Sequence, residues 1–468
     1  VLGVHRITRP RADYYLSDLG HELPLGSPGG APGARWTGES ARQLGLTGAV
    51  RSDDLVQMLD GCRPGPGTRL RSDRASVLGY DLTFSAPKSA SILFALGGEE
   101  VAGQIVEAHH RAVGGALTYV ERHMLGGQRR IDGARPVVGT DGAVAAAFTH
   151  GVNRNQDPHV HTHVVMGNLV HGTDGKWSAL DQRGVWAHRE AAGAVYESHL
   201  RAELTARLTV RWEVGADRRS EISGISPMLM GEFSSRRAEI RRHMFEHGVH
   251  SARGNRIAWA ATRPEKQPVG SYGELEMDWT RRALGAEATR GELLAVVGRT
   301  GAAKQVVDEH LFRGVLSETP DGAVRRRDLT TALAISAADG ASAVAVDGLT
   351  GLWLPEAGDA AQVSVAETTH LPRQVVPNDS ALRELGPRPL DPGQHQVWRD
   401  AAQALNAYRS RWGVQPTATL EQDMIGLGRT TMPTRRLVDH LRTTQTVDAA
   451  LARLGRRRPM ELELGRSR

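Results

Sequence analysis

Four histidines fall within fourteen residues of a stretch, 149–165, that reads THGVNRNQDPHVHTHVV. His159, His161 and His163 alternate with Val160 and Thr162, the pattern of an extended strand whose successive side chains point to opposite faces. Three imidazoles on one face, roughly 6–7 Å apart at their Cα atoms, make poor core filler, because each buried ring needs a hydrogen-bond partner. They suit a metal ion. Neutral imidazole is a common ligand, and three of them leave positions open for substrate or water. His150 closes a second strand-like run, AVAAAFTH, and the intervening GVNRNQDP is rich in turn residues, so a hairpin brings His150 beside the other three. The spacing leaves open which three of the four bind.

A metal held this way can act as a Lewis acid on a phosphoryl oxygen, and a tyrosine hydroxyl can serve as a covalent nucleophile. Tyr14 and Tyr15 stand side by side near the start of the chain. A tyrosine with its ordinary pKa of about 10 needs help at neutral pH. Asp81, in the otherwise apolar run DLTF, is a candidate to orient a histidine or accept a proton. Lys88 and Arg154 fall on turns beside these strands and could hold phosphates.

These residues need elements to carry them. Tyr80, Leu82 and Phe84 alternate with Asp81 and Thr83, which predicts a strand followed by a turn at SAPKS. The spacing of Val101, Ile105, Val106, Val113, Leu117 and Val120 predicts an amphipathic helix over 99–125, and 188–208 is predicted as a second. A short helix is expected within TGESARQLGLTG, and Ser52 is expected to cap DDLVQMLDG. RWEV and SEISGI read as a strand pair, and Ser226-Pro227 opens a helix expected to run to about Gly248. From about residue 265 the chain is rich in Ala and Gly with weak periodicity; helices are expected at 394–412 and 434–454.

The 468 residues suffice for two or three domains. The divisions expected are 1–265, 266–380 as a connector, and 381–468 as a helical, basic region. Cys62 is the sole cysteine, which excludes an intramolecular disulfide and a cysteine-based zinc site. Nothing resembles a signal peptide or a membrane span, so a cytoplasmic protein is expected. The net charge of +5 is concentrated: residues 431–468 hold nine arginines against four acids, a tail able to bind nucleic acid nonspecifically. GRTGAAK (298–304) lacks the Lys-Ser/Thr pair of a phosphate loop, so no ATP-driven motor is expected.

Taken together, Tyr14-Tyr15, RWTGESARQLGL, GYDLTFSAPKS (79–89), FTH…NRNQDPHVHTHVV (148–165), WSALD (177–181) and FSSRRAEIRRHM (233–244) resemble the relaxases of conjugative plasmids of the F-plasmid class, within the HUH endonuclease superfamily. The resemblance spans about residues 3–265. It implies an α+β fold, a central antiparallel sheet flanked by helices, followed by a mostly helical C-terminal region. It implies that Tyr14, with Tyr15 close by, attacks a DNA phosphodiester and leaves a 5′-phosphotyrosine. Asp81 resembles the acid that steers the metal histidine. His150, His161 and His163 resemble the metal triad, and His159 stands where the family has no ligand. The expected ion is divalent, Mg or Mn, with Zn or Ni as alternatives. The expected partners are single-stranded and hairpin DNA at an origin of transfer, accessory transfer proteins and a coupling protein. Base readout is expected from loop arginines such as Arg71 and Arg74. Relatives often carry a second tyrosine pair, but HELPLGSPGG (21–30) has none, which bears on whether one molecule performs two successive cleavages. Three rival readings use the same residues: a rolling-circle replication initiator, against which the tyrosine-before-histidine order argues, a DNA-binding module with a degenerate site, and a metal-dependent hydrolase using activated water, which would make no covalent adduct.

Overall fold

A computed structural model of the chain describes residues 2–9, 34–72, 75–130, 136–248, 262, 271–299, 307–319, 323–353, 362–364, 397–398, 401, 404–405 and 453. Two compact units divide it, 1–303 and 304–468. The first is built on an antiparallel sheet of β1 (Leu2–Thr8), β2 (Ala34–Thr37), β3 (Val77–Ser85), short β4 (Gly127–Gln128) and β5 (Val137–Val138) as a separate pair, then β6 (Thr140–Val152), β7 (Pro158–Gly172) and β8 (Trp177–Ser178). The sheet order is β1-β3-β7-β6-β2, with β8 pairing β7. β3 and β7 are mostly buried along their length, as strands at the centre of the sheet are. Sequence reasoning missed β1 and β2, which lie at the sheet's edges.

The helices in chain order are α1 (Glu39–Gln43), α2 (Ser52–Leu59), α3 (Lys88–Leu96), α4 (Glu99–Tyr119), α5 (Gln182–Ala187), α6 (Arg189–Leu208), α7 (Pro227–Glu232), α8 (Ser235–Glu246), α9 (Tyr272–Gly285) and α10 (Arg290–Leu294). β9 (Trp212–Val214) and β10 (Ser220–Ile222) form the expected strand pair. α4 packs on α6, and together they cover one sheet face, where Tyr196 meets Phe84 at 5.3 Å between ring centroids. On the other face Leu55, Met58 and Leu59 of α2 pack with Val144, Ala146, Phe148 and Val165. Gly79 and Gly167 oppose one another across β3 and β7. A Cβ at Gly79 would sit 2.5 Å from the Met166 carbonyl oxygen and 3.0 Å from Leu59, so the helix reaches the sheet because the strand is bare there.

Several boundaries differ from the sequence expectation. Ser52 is the first residue of α2, with Arg51 at the cap position and no side-chain bond. The helix expected over 226–248 is two helices. Ser226 caps α7 by accepting from the Leu229 amide; the chain then breaks where buried Phe233 packs and the Ser235 amide donates to Asp157. α4 ends in a single π turn, Val120–Met124.

In the second unit, α11 (Glu309–Leu316) packs on α12 (Arg326–Ser336), and α12 on α13 (Ala343–Trp353). β11 (Ala323–Arg325) pairs antiparallel with β12 (Gln362–Ser364). The described residues of this unit are mainly helical, as expected; the helix expected over 434–454 and most of that over 394–412 lie outside the described residues. Among the described residues, no helix is long and apolar enough to cross a membrane.

Candidate metal centre and active site

The histidine hairpin forms with longer strands and a tighter connection than expected: β6 and β7 are joined by residues 153–157 alone. His150 is directly opposite His161, and Phe148 opposite His163. Paired residues share a face, so His150, His161 and His163 form a triangle, with ring centroids 5.1–5.7 Å apart. One ligand nitrogen from each lies within 4.8 Å of the others. His159 is 4.7 Å from His161 by ring centroid but lies outside this group.

The hydrogen bonds set the tautomers. His161 Nδ1 is 2.8 Å from the His159 carbonyl oxygen, which can only accept, so Nδ1 carries the proton and Nε2 keeps its lone pair. His163 Nδ1 lies 3.0 Å from both oxygens of Asp81 and 3.1 Å from Thr83 Oγ1, with the same result. Asp81 is 2 % exposed and reaches the site because β3 is the neighbour of β7. Burial pulls the His161 pKa down to about 3, helped by His163, while the His159 carbonyl and Asp81 act the other way. The imidazole is therefore neutral at ordinary pH. His161 and His163, with Nδ1 engaged and Nε2 presented, offer donors of the kind a divalent transition ion requires, and the carboxylate behind His163 is the usual orienting partner.

Two further groups of residues support this triangle. On the opposite sheet face, buried His109 of α4 bonds Tyr196 Oη through Nδ1 and Thr162 Oγ1 through Nε2, each at 2.8 Å. Thr162 bonds Thr149 at 2.8 Å, and Thr149 bonds His110 at 3.2 Å. Thr162 sits between His161 and His163, and Thr149 beside His150, so this chain pins the register of the histidine strands. Burial holds His109 well below the ordinary imidazole range. The available signal was His109 on the same stripe as Ile105, Ala112 and Val113.

The second support is the hairpin turn. Asp157 is fully buried and accepts from the Ser235 amide (3.0 Å), Ser235 Oγ (2.9 Å) and Arg282 Nη2 (2.9 Å). Trp279 Nε1 donates to the Gln156 carbonyl, and Asn155 Nδ2 to Glu239 Oε1 at 2.7 Å. Helices α8 and α9 thus hold the turn from which β7 departs.

Tyr14, Tyr15 and Arg74 lie outside the described residues. Lys88 begins α3 instead of lying on a turn. Its Nζ donates to the Pro158 carbonyl at 2.8 Å, and burial lowers its pKa to about 8 although Asp157 and Glu221 pull it upward. Glu221 also caps α3, accepting from the Ser89 amide at 2.8 Å. Arg154 is on the hairpin turn, as expected. Arg71 is placed differently from the expectation: it is 6 % exposed, and its guanidinium donates to the Leu59 and Ser72 carbonyls. The stretch before it folds back on itself, with Cys62 bridged antiparallel to Arg69, and closes around this side chain.

An antiparallel sheet with paired central strands that present three imidazoles, backed by a buried carboxylate, defines a histidine-centred metal site of the kind that polarises phosphoryl oxygens. A family model described as TrwC relaxase matches residues 4–286, and the chain belongs to that family. The multifunctional conjugation protein TraI of Escherichia coli is 35 % identical over 270 residues, covering 55 % of this chain and 15 % of the relative. TraI of strain K12 is 33 % identical over the same length, with the same coverage. This chain therefore matches only a small part of those relatives. Among solved structures, a copper-bound complex of the conjugative relaxase TrwC with oriT DNA matches at 28 % identity and a TM-score of 0.56, covering 62 % of this chain and all of that one. A complex of TrwC with a 27-mer comprising the recognition hairpin and the cleavage site matches at 27 % identity and a TM-score of 0.55, with the same coverage.

Proposed function

We propose that this chain is a conjugative DNA relaxase that nicks one strand at an origin of transfer and can rejoin it. The observation that carries the reading is the triangle of His150, His161 and His163, with Asp81 behind His163, in a chain of the TrwC relaxase family. Those three residues would hold a divalent ion through Nε2 of His161 and His163 and a nitrogen of His150. When bound, it would withdraw charge from the nonbridging oxygens of the scissile phosphate. The preferred ion is Mg or Mn, with Zn or Ni as alternatives.

Tyr14 is the proposed nucleophile, with Tyr15 as its neighbour. Its oxygen forms a bond to phosphorus, the bond to the 3′ oxygen breaks, and the tyrosine proton ends on the released 3′-hydroxyl. One phosphodiester replaces another, so resealing needs no ATP. Asp81 keeps the His163 tautomer fixed. Arg154 and Arg74 are the proposed DNA backbone contacts, while Lys88 and Arg71 act through the turn and loop that they hold. The substrate is single-stranded and hairpin DNA at an origin of transfer. Accessory transfer proteins and a coupling protein complete the proposed setting, in the cytoplasm, with nicking assigned to the first compact unit.

Incubation with a labelled single-stranded oligonucleotide that carries a hairpin and nick site, resolved on a denaturing gel, tests the reading. A covalent adduct is expected that disappears in Tyr14→Phe and on chelation. An adduct of equal yield in Tyr14→Phe would refute the assigned nucleophile, and hydrolysis without any adduct would refute the transesterification.

A further inference from the structure

We propose that His243, Glu246 and His247, at the C-terminal end of α8, form a second cation site that stiffens the helix clamping the turn of the histidine hairpin. One ligand atom from each lies within 4.8 Å of the others. The two histidines are one helical turn apart and therefore share a face; their ring centroids are 4.0 Å apart, with the planes inclined by 32°. His247 Nδ1 is 2.8 Å from the His243 carbonyl oxygen. That carbonyl accepts the Nδ1 proton, so Nε2 of His247 keeps its lone pair.

A tetrahedral zinc ion with ligands at 2.0–2.1 Å needs donor atoms about 3.3 Å apart. His243 is half-buried, and Glu246 and His247 are exposed, so small rotamer changes bring the set to that spacing without disturbing a core. The helix end itself carries negative partial charge from its last carbonyls, which favours a cation there. Two imidazoles and one carboxylate select zinc, nickel or copper over magnesium, which prefers an all-oxygen shell.

The reason to expect a consequence lies in how α8 is held. None of its residues is buried. It is tied to the hairpin near its first turns, through Ser235 to Asp157 and Glu239 to Asn155. A 12-residue helix with no apolar face is marginal by itself. A cation that binds only the helical form shifts its opening equilibrium by the factor 1 + [L]/Kd, about 100-fold at 100 times Kd. The site would thus make the turn that launches β7 more rigid when zinc is bound.

The test uses the full chain, stripped with EDTA, beside a His243→Ala/His247→Ala variant. Titration with ZnCl2 in a calorimeter is expected to give one equivalent fewer in the variant. Hydrogen exchange of residues 235–246 is expected to slow about 100-fold with saturating zinc in the wild type and not in the variant; MgCl2 is expected to protect neither. The hairpin histidines are intact in both proteins, so their zinc cancels in the comparison, and the nicking assignment is tested separately by the Tyr14→Phe adduct. Equal zinc equivalents in the two proteins, or equal protection of 235–246, would overturn the proposal. Matching circular dichroism spectra in EDTA establish that the variant folds.

Discussion

Replacing Asp81 by Asn tests the link between the buried carboxylate and the histidine triangle. The side chain keeps its shape but loses its charge and one of two equivalent acceptors. In the wild type both oxygens lie 3.0 Å from His163 Nδ1. An amide turned with its NH2 toward the ring would favour the tautomer protonated on Nε2, which cannot ligate. Loss of such an outer partner weakens metal binding roughly 10–100-fold, or about 1.4–2.7 kcal/mol. Thr83 Oγ1, 3.1 Å from the same nitrogen, remains as an acceptor, so Asp81→Asn is expected near the tenfold end. Asp81→Asn with Thr83→Val is expected near 100-fold. The metal-free protein should be no less stable, because the change removes a buried charge. Calorimetric titration with MnCl2 or NiCl2 measures the affinity, and thermal melts in EDTA measure the stability. Affinity within twofold of wild type in the double variant would refute the orienting role. A matching loss of metal-free stability would show that Asp81 merely holds the fold.

Other perturbations follow from the supports. Asp157→Ala leaves Arg282 and both donors of Ser235 without their buried acceptor. Arg282 retains Glu232, so a loss of about 3 kcal/mol is expected by urea denaturation; a loss below about 1 kcal/mol would show that the turn does not depend on the clamp. Lys88 gives a pH signature. Its folded pKa of about 8 lies below the ordinary 10.5, so the unfolded chain binds more protons between those values. This group therefore costs stability at pH 7, by about 3 kcal/mol at most, and the cost fades as pH rises through 8 to 10.5. Asp157, Glu221 and Arg282 are the charged groups acting on it. The stability of the wild type relative to Lys88→Met should rise from pH 7.5 to 9.5, and a flat difference would refute the shifted titration.

Much of the site was legible because its residues are local. The alternation HVHTH sets three side chains on one face of any strand, and the Asn, Asp and Pro between His150 and His159 demand a turn. Family motifs supplied the choice among the four histidines, and the geometry groups the same three. The long helices α4 and α6 were legible because their apolar faces repeat over five turns or more. Short edge strands, the break after α7 and the fate of Arg71 were not, since each depends on what packs against it.

By itself, then, the sequence determined which residues can ligate and which strands carry them, since side-chain direction in a strand follows from covalent geometry alone. Only the tertiary structure decided that β3 lies beside β7, so that Asp81 meets His163. It also decided that His109 reaches Thr162 from a helix 53 residues away in the chain, and that Arg282 closes on Asp157 across 125 residues. Pairings at that separation are chosen by burial and by the need of every buried polar atom for a partner, and no local pattern encodes them.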